Sequence, residues 1–164
     1  MNGKIRDNLR ERRNIYLAGP LFSEAERSFN TKLKGLLEQY VNVYLPQEDG
    51  GLLVEMISNG IPLELANQEV FHSDMRALQD CDAFVIILDG RAVDEGAVFE
   101  LGCAYTLGKP CYGLKTDPRQ LLQCGDNPMI CVALREIFSD VAQLISWIKT
   151  LANEYLSTHI ASSA

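Results

Sequence analysis

Six consecutive apolar residues, Ala83-Phe84-Val85-Ile86-Ile87-Leu88, constrain this chain more than any other feature. A strand with one wet face alternates apolar and polar side chains, whereas an unbroken apolar run is covered on both faces. Strands of that kind belong to parallel sheets flanked by helices. The neighbouring segments fit such a sheet. Asn14 to Ala18 predicts a short buried strand stopped by Gly19-Pro20, and Val41 to Leu45 a second strand ended by Pro46. Cys111 to Leu114 and Glu136 to Phe138 predict two more. Helical spacing separates them. Residues 23–39 carry Ala25, Phe29, Leu33, Leu36 and Leu37 on one side, with Ser23 as N-cap. Pro62 fits the first turn of a helix reaching about Gln79, residues 96–107 form a nearly all-apolar helix, and residues 129–134 suit a short helix or a strand, the helix being preferred. The last helix repeats Val141, Leu144, Ile145, Ile148 and Leu151 behind Ser139 as N-cap. Residues 47–60 and 116–128 are expected to be loops, the first long enough to serve function. The prediction is a doubly wound (Rossmann or flavodoxin-like) α/β sandwich with a five-stranded parallel sheet. Ligands then bind at the carboxyl ends of the strands, near residues 19–22, 47–60, 89–96 and 116–128.

At 164 residues the chain suits one domain over 14–157, with a solvated lead-in over 1–13 and a frayed Ser/Ala-rich tail over 158–164. Fifteen Lys and Arg against 22 Asp and Glu leave a net charge of −7. That argues against a reader of nucleic-acid phosphates, which needs a basic face. No apolar stretch suits a membrane span or, over residues 1–13, a secretory leader. The five Cys include no C-x-x-C pair, so we expect free thiols in a reducing cytoplasm. The two His are far apart: His72 is expected on a helix surface and His159 in the tail, so no metal site is expected. Neither G-x-G-x-x-G nor G-x-x-x-x-G-K-[ST] occurs, so the common phosphate cradles are absent.

The charge matters through three acids. Glu100 is the only charged residue between Gly96 and Gly108, with Gly96, Ala97, Cys103 and Ala104 three and four positions away. It is either a core carboxylate held by a partner or a reactive group in a cleft, because an unpartnered buried carboxylate is very costly. Asp74 shares a helix side with Val70, Phe71, Ala77 and Leu78, so it is paired or points into a pocket. Asp94 precedes the apolar helix and suits an N-cap. Taken together, carboxylates around one cavity suit glycosyl transfer. An ionised one attacks the anomeric carbon, and one whose pKa is raised protonates the leaving group.

Three segments resemble the nucleoside 2-deoxyribosyltransferases: N-I-Y-L-A-G-P-L-F (14–22), D-M-R-A-L-Q-D-C-D-A (74–83) and D-E-G-A-V-F-E-L-G-C-A (94–104). The last is similar to the family's D-x-G-x-x-x-E-x-G pattern, and G-D-N-P-M (125–129) to a segment that reaches a neighbouring subunit's site. The resemblance implies transfer of a 2-deoxyribosyl group between nucleobases, with no cofactor. Glu100 would be the nucleophile, Asp74 and Asp94 would bind the base and handle its proton, and Tyr16 would orient Glu100. Asn127, with Asp126, would meet the sugar across a subunit interface, which implies a homo-oligomer, a dimer or a hexamer of dimers. Gly19 would admit the ligand to the backbone, Phe22 would line the base slot and Gln47 would contact the base. Pro20, Gly96 and Met129 complete the implied substrate contacts.

Two rivals stand beside this reading. One is an N-glycosidase on the same fold. A hydrolase of 5′-monophosphates would want Ser and Arg after the first strand, where this chain has Gly19-Pro20-Leu21-Phe22. The other is a nucleotide-binding module without catalysis, which the fold permits. An isolated Glu100 is a costly choice for a mere binder.

Overall fold

Alternate residues of each central strand enter opposite cores, and this divides the helices into two layers. The structure, a computed structural model, describes residues 12–51, 53–118 and 127–161. Its five strands are β1 (Asn14–Ala18), β2 (Asn42–Tyr44), β3 (Ala83–Ile87), β4 (Cys111–Leu114) and β5 (Glu136–Phe138). They form one sheet in the order β2-β1-β3-β4-β5, with every pair parallel. This is the five-stranded doubly wound sandwich the sequence predicts, and its strand order is the flavodoxin-like one.

All five residues of β3 are buried. Ile15, Leu17, Val85 and Ile87 pack with Leu33 and Leu37 of α1 (Glu24–Leu37) and with Leu144 and Ile148 of α7 (Val141–Ala161). Tyr16, Ala18, Phe84 and Ile86 face the other way. They meet Leu78 of α4 (Leu63–Asp80), Ala97, Leu101 and Ala104 of α5 (Glu95–Thr106) and Ile130 of α6 (Pro128–Ala133). The two-residue period of a strand thus assigns each side chain its layer. The order in which strands are added reverses between β1 and β3, so a crevice opens at their carboxyl ends.

Several expectations need correction. Residues 47–60 are not a plain loop: α2 (Pro46–Asp49) and α3 (Leu53–Ser58) occupy most of the stretch. Pro62 is the N-cap of α4 rather than part of its first turn. The last helix is capped by Asp140, whose Oδ1 accepts the Gln143 N–H at 2.8 Å, while Ser139 bonds the Gln143 side chain. Helix α7 continues to Ala161, four residues into the stretch expected to fray. Arg12 and Arg13 are half-buried and bonded rather than a free lead-in. Arg12 donates to the carbonyls of Glu38 and Gln39, and Arg13 pairs with Asp82 at 2.9 Å and lies over the Tyr155 ring. These contacts fasten the entry of β1 to the layers on either side of it. Ser23 caps α1 as expected, in a reciprocal capping box with Glu26. Among the described residues, Cys81, Cys103, Cys111 and Cys131 are free thiols, and no helix is long and apolar enough to cross a membrane.

Candidate active site

Tyr16 is in the middle of β1 and wholly buried, with its ring between those of Tyr44 and Phe84. It donates to Glu100 Oε1 at 2.7 Å, a charge-assisted length. Glu100 sits half-buried on α5 between Ala97 and Ala104, both buried. Burial pushes the Glu100 carboxyl up to about 8. The Tyr16 hydrogen bond opposes that rise, and the negative charges of Asp74 and Asp94 add to it. Burial and the negative charges of Glu100 and Asp74 also push the Tyr16 hydroxyl far up, so it stays a donor.

Asp74 comes from α4 and is held by a partner the sequence reading did not single out. Tyr44 Oη donates to Asp74 Oδ1 at 2.9 Å. Tyr44 and Tyr16 are register partners on β2 and β1, with ring centroids 5.2 Å apart. Burial pushes Asp74 upward, and the Tyr44 hydrogen bond pulls it back. Asp94 caps α5, its Oδ1 accepting the Ala97 N–H at 2.7 Å, and its charge reaches Glu100. The N-cap expected of Asp94 is therefore present. Gly96 lies against it, since a Cβ there would stand 3.2 Å from Asp94 Oδ1. Tyr16, Glu100, Asp74 and Asp94 thus form one electrostatic group. Among the described residues, no set of three or more His, Cys, Asp or Glu is placed to hold a metal ion.

The remaining candidates divide. Gly19 and Pro20 follow β1, but the space a Gly19 side chain would need is filled by Ile87, with Cδ1 2.9 Å from a Cβ. That packing accounts for the glycine without a ligand. Phe22 is 71% exposed beyond the end of β1, so no protein contact buries it. Gln47 is committed to α1. Its Nε2 donates to Arg27 O and Thr31 Oγ1, and its Oε1 accepts from Asn30. These bonds brace α2 against α1. Asn127 Oδ1 accepts the Met129 N–H at 2.9 Å and caps α6, and Met129 is 81% exposed. Asp126 lies outside the described residues.

Two further residues escaped the sequence reading. A Cβ on Gly50 would stand 2.7 Å from Asp74 Oδ1, so only glycine leaves that carboxylate its place. Lys34 is buried and bonds Asp49 Oδ2 at 2.6 Å, with Glu48 at 3.2 Å. Asp49 also accepts the Leu45 N–H, so this cluster fixes α2 behind the site. The signal for Lys34 was present, as a Lys one position after Leu33 on the buried side of α1.

Fold and site together define a doubly wound α/β protein with a carboxylate centre suited to glycosyl chemistry. The profile of the nucleoside 2-deoxyribosyltransferases matches residues 15–145, and the chain belongs to that family. Among solved structures it is similar to a conserved protein from Enterococcus faecalis, at 26% identity and a TM-score of 0.71 over 85% of this chain and 98% of that one. It is also similar to a 2-deoxyribosyltransferase from Bacillus psychrosaccharolyticus, at 26% identity and a TM-score of 0.66 over 80% and 90%. A CMP N-glycosidase from Clostridium botulinum shares the fold, at 15% identity and a TM-score of 0.52 over 83% and 98%. No curated sequence matches the chain.

Proposed function

We propose that this protein moves a 2-deoxyribosyl group from one nucleobase to another through a covalent ester on Glu100. The observation that carries the reading is the half-buried Glu100 carboxyl, held by the Tyr16 hydroxyl at 2.7 Å beside two further carboxylates. In the first step an ionised Glu100 oxygen attacks C1′ of a 2-deoxynucleoside. The C1′–O bond forms as the C1′–N bond breaks, and the electron pair leaves on the base. Asp74 or Asp94 gives that base its proton. In the second step the acceptor base returns a proton to the same carboxylate and its nitrogen attacks C1′, freeing Glu100. Two displacements on one carbon retain its configuration. The 2-deoxy sugar lacks an electron-withdrawing hydroxyl, so its oxocarbenium-like transition state forms readily. The apolar surround of Glu100 limits the water that would otherwise hydrolyse the ester.

The nucleophile must be ionised, and its pKa lies near 8. The rate is therefore expected to rise with pH until Glu100 has lost its proton. We assign the exposed apolar face of α4, α5 and α6 to a second copy of the chain. Phe71 and Phe99 meet there at 6.3 Å between centroids, and Val132 is 79% exposed beside Met129. Such a partner would bring Asn127 to a neighbouring sugar.

The deciding experiment gives the purified protein a 2-deoxynucleoside and a different free base. The expected product is the new nucleoside, absent with Glu100→Ala. Free sugar and base alone, with acceptor in excess, would establish the hydrolase instead. Near-normal turnover by Glu100→Ala would refute the ester.

A further inference from the structure

We propose that Tyr44 is a positioning residue: with Ser73 and Gly50 it pins Oδ1 of Asp74, so that the exchangeable proton is carried on Oδ2. The proposal rests on reading Asp74 as a group that handles the nucleobase proton.

Three neighbouring strands present a row of rings to the α4 and α5 layer. Tyr44 on β2 pairs in register with Tyr16 on β1, which pairs with Phe84 on β3. The centroids are 5.2 and 5.5 Å apart. The two hydroxyls in this row serve different acids, Tyr16 bonding Glu100 and Tyr44 bonding Asp74. Tyr44 has one proton to donate. With that proton on Asp74 Oδ1, its oxygen is left to accept from Ser73 Oγ at 3.2 Å. The order of donation is therefore Ser73 to Tyr44 to Asp74.

Gly50 closes the other side of this arrangement. A Cβ there would approach Asp74 Oδ1 to 2.7 Å and the Tyr44 hydroxyl to 3.1 Å. The Gly50 N–H is bonded to Pro46 O at 3.0 Å, and Lys34 anchors α2 through Asp49, so the glycine has little room to yield. An oxygen that already accepts a tyrosine proton is a poor site for a second one. A proton arriving at Asp74 is thereby directed to Oδ2. The same O–H favours the ionised carboxylate, against burial. Other charged or titratable groups also act here. Glu100 on α5 and Tyr16 on β1 interact with Asp74, and Asp49 on α2 acts on Tyr44. Lys34 is taken up by Asp49 and Glu48.

The test is Tyr44→Phe, which keeps the ring and removes only the hydroxyl. Carboxyl carbon-13 NMR on substrate-free protein follows Asp74, assigned with Asp74→Asn. The Asp74 titration is expected to move up by about one pH unit, the effect of losing a charge-assisted hydrogen bond. In the exchange assay kcat falls with KM little altered, because the proton is no longer confined to Oδ2, although the higher titration leaves Asp74 more fully protonated. The limb of the pH profile that reports Asp74 moves with the NMR titration. A titration and profile both unmoved would overturn the proposal. If Tyr44→Phe does not fold, Ser73→Ala leaves Tyr44 in place and should move the titration in the same direction by less. No movement there refutes the relay. Failure of the exchange reading looks different: the wild type yields no new nucleoside while the NMR shift in Tyr44→Phe remains.

Discussion

Replacing Glu100 with Gln should stabilise the protein at the pH where it abolishes catalysis. Burial holds the Glu100 carboxyl near 8, against an ordinary 4.5. Between those values the folded chain keeps a proton that the unfolded chain has lost. The unfolded state then binds fewer protons, so stability falls as pH rises through that window. A rise of about 3.5 pH units at 1.36 kcal/mol each sets a ceiling of about 5 kcal/mol. Glu100 is only half-buried, and water relaxes part of that cost, leaving about 2–3 kcal/mol. Gln is neutral at every pH and can still accept from Tyr16, so it removes the cost without leaving a void. Urea unfolding of wild type and Glu100→Gln at pH 5 and pH 8.5 measures it directly. The two should nearly coincide at pH 5, and the variant should be more stable by about 2–3 kcal/mol at pH 8.5. Equal stabilities at pH 8.5 would refute the argument that burial strains this acid.

Tyr16→Phe removes a donor that lowers the Glu100 pKa, so the rising limb of the pH–rate profile should move to higher pH. Turnover at pH 7 should drop about tenfold, and initial rates from pH 5 to 10 check both. Asp94→Asn and Asp94→Ala separate the cap of α5 from the chemistry. Asn caps well, so it should cost little stability while exchange falls, whereas Ala should cost about 1 kcal/mol in addition. Thermal melts and product assays on both variants read the two effects. Lys34→Met leaves Asp49 and Glu48 facing each other without their cation, and denaturant unfolding should show a loss of about 2 kcal/mol. Burial alone would lower the Lys34 pKa, but the carboxylates outweigh it and raise the net value. Its contribution should therefore persist through neutral pH and disappear only as pH rises through that elevated value.

Local pattern was enough for the fold because each strand and helix advertises its burial along its own length. The unbroken run at 83–88 demanded cover on both faces, and it has it. Glu100 was visible for the same reason, as one charge breaking an apolar period. Short elements such as α2 and α3 were hidden, since four and six residues are too few for a period to declare itself. The bonds that tie Gln47 to α1 were hidden because those partners are 16 to 20 residues away, across a strand.

The sequence by itself determined the layers, the sheet and the acids out of place, because periodicity and isolated charge are properties of neighbours along the chain. The family resemblance had already paired Tyr16 with Glu100, but only the tertiary structure decided which hydroxyl holds Asp74 and at what distance either bond is made. Tyr44 meets Asp74 across 30 residues and Tyr16 meets Glu100 across 84. Those pairings follow from strand register and helix placement, which emerge only when the whole sheet assembles and no single segment encodes them.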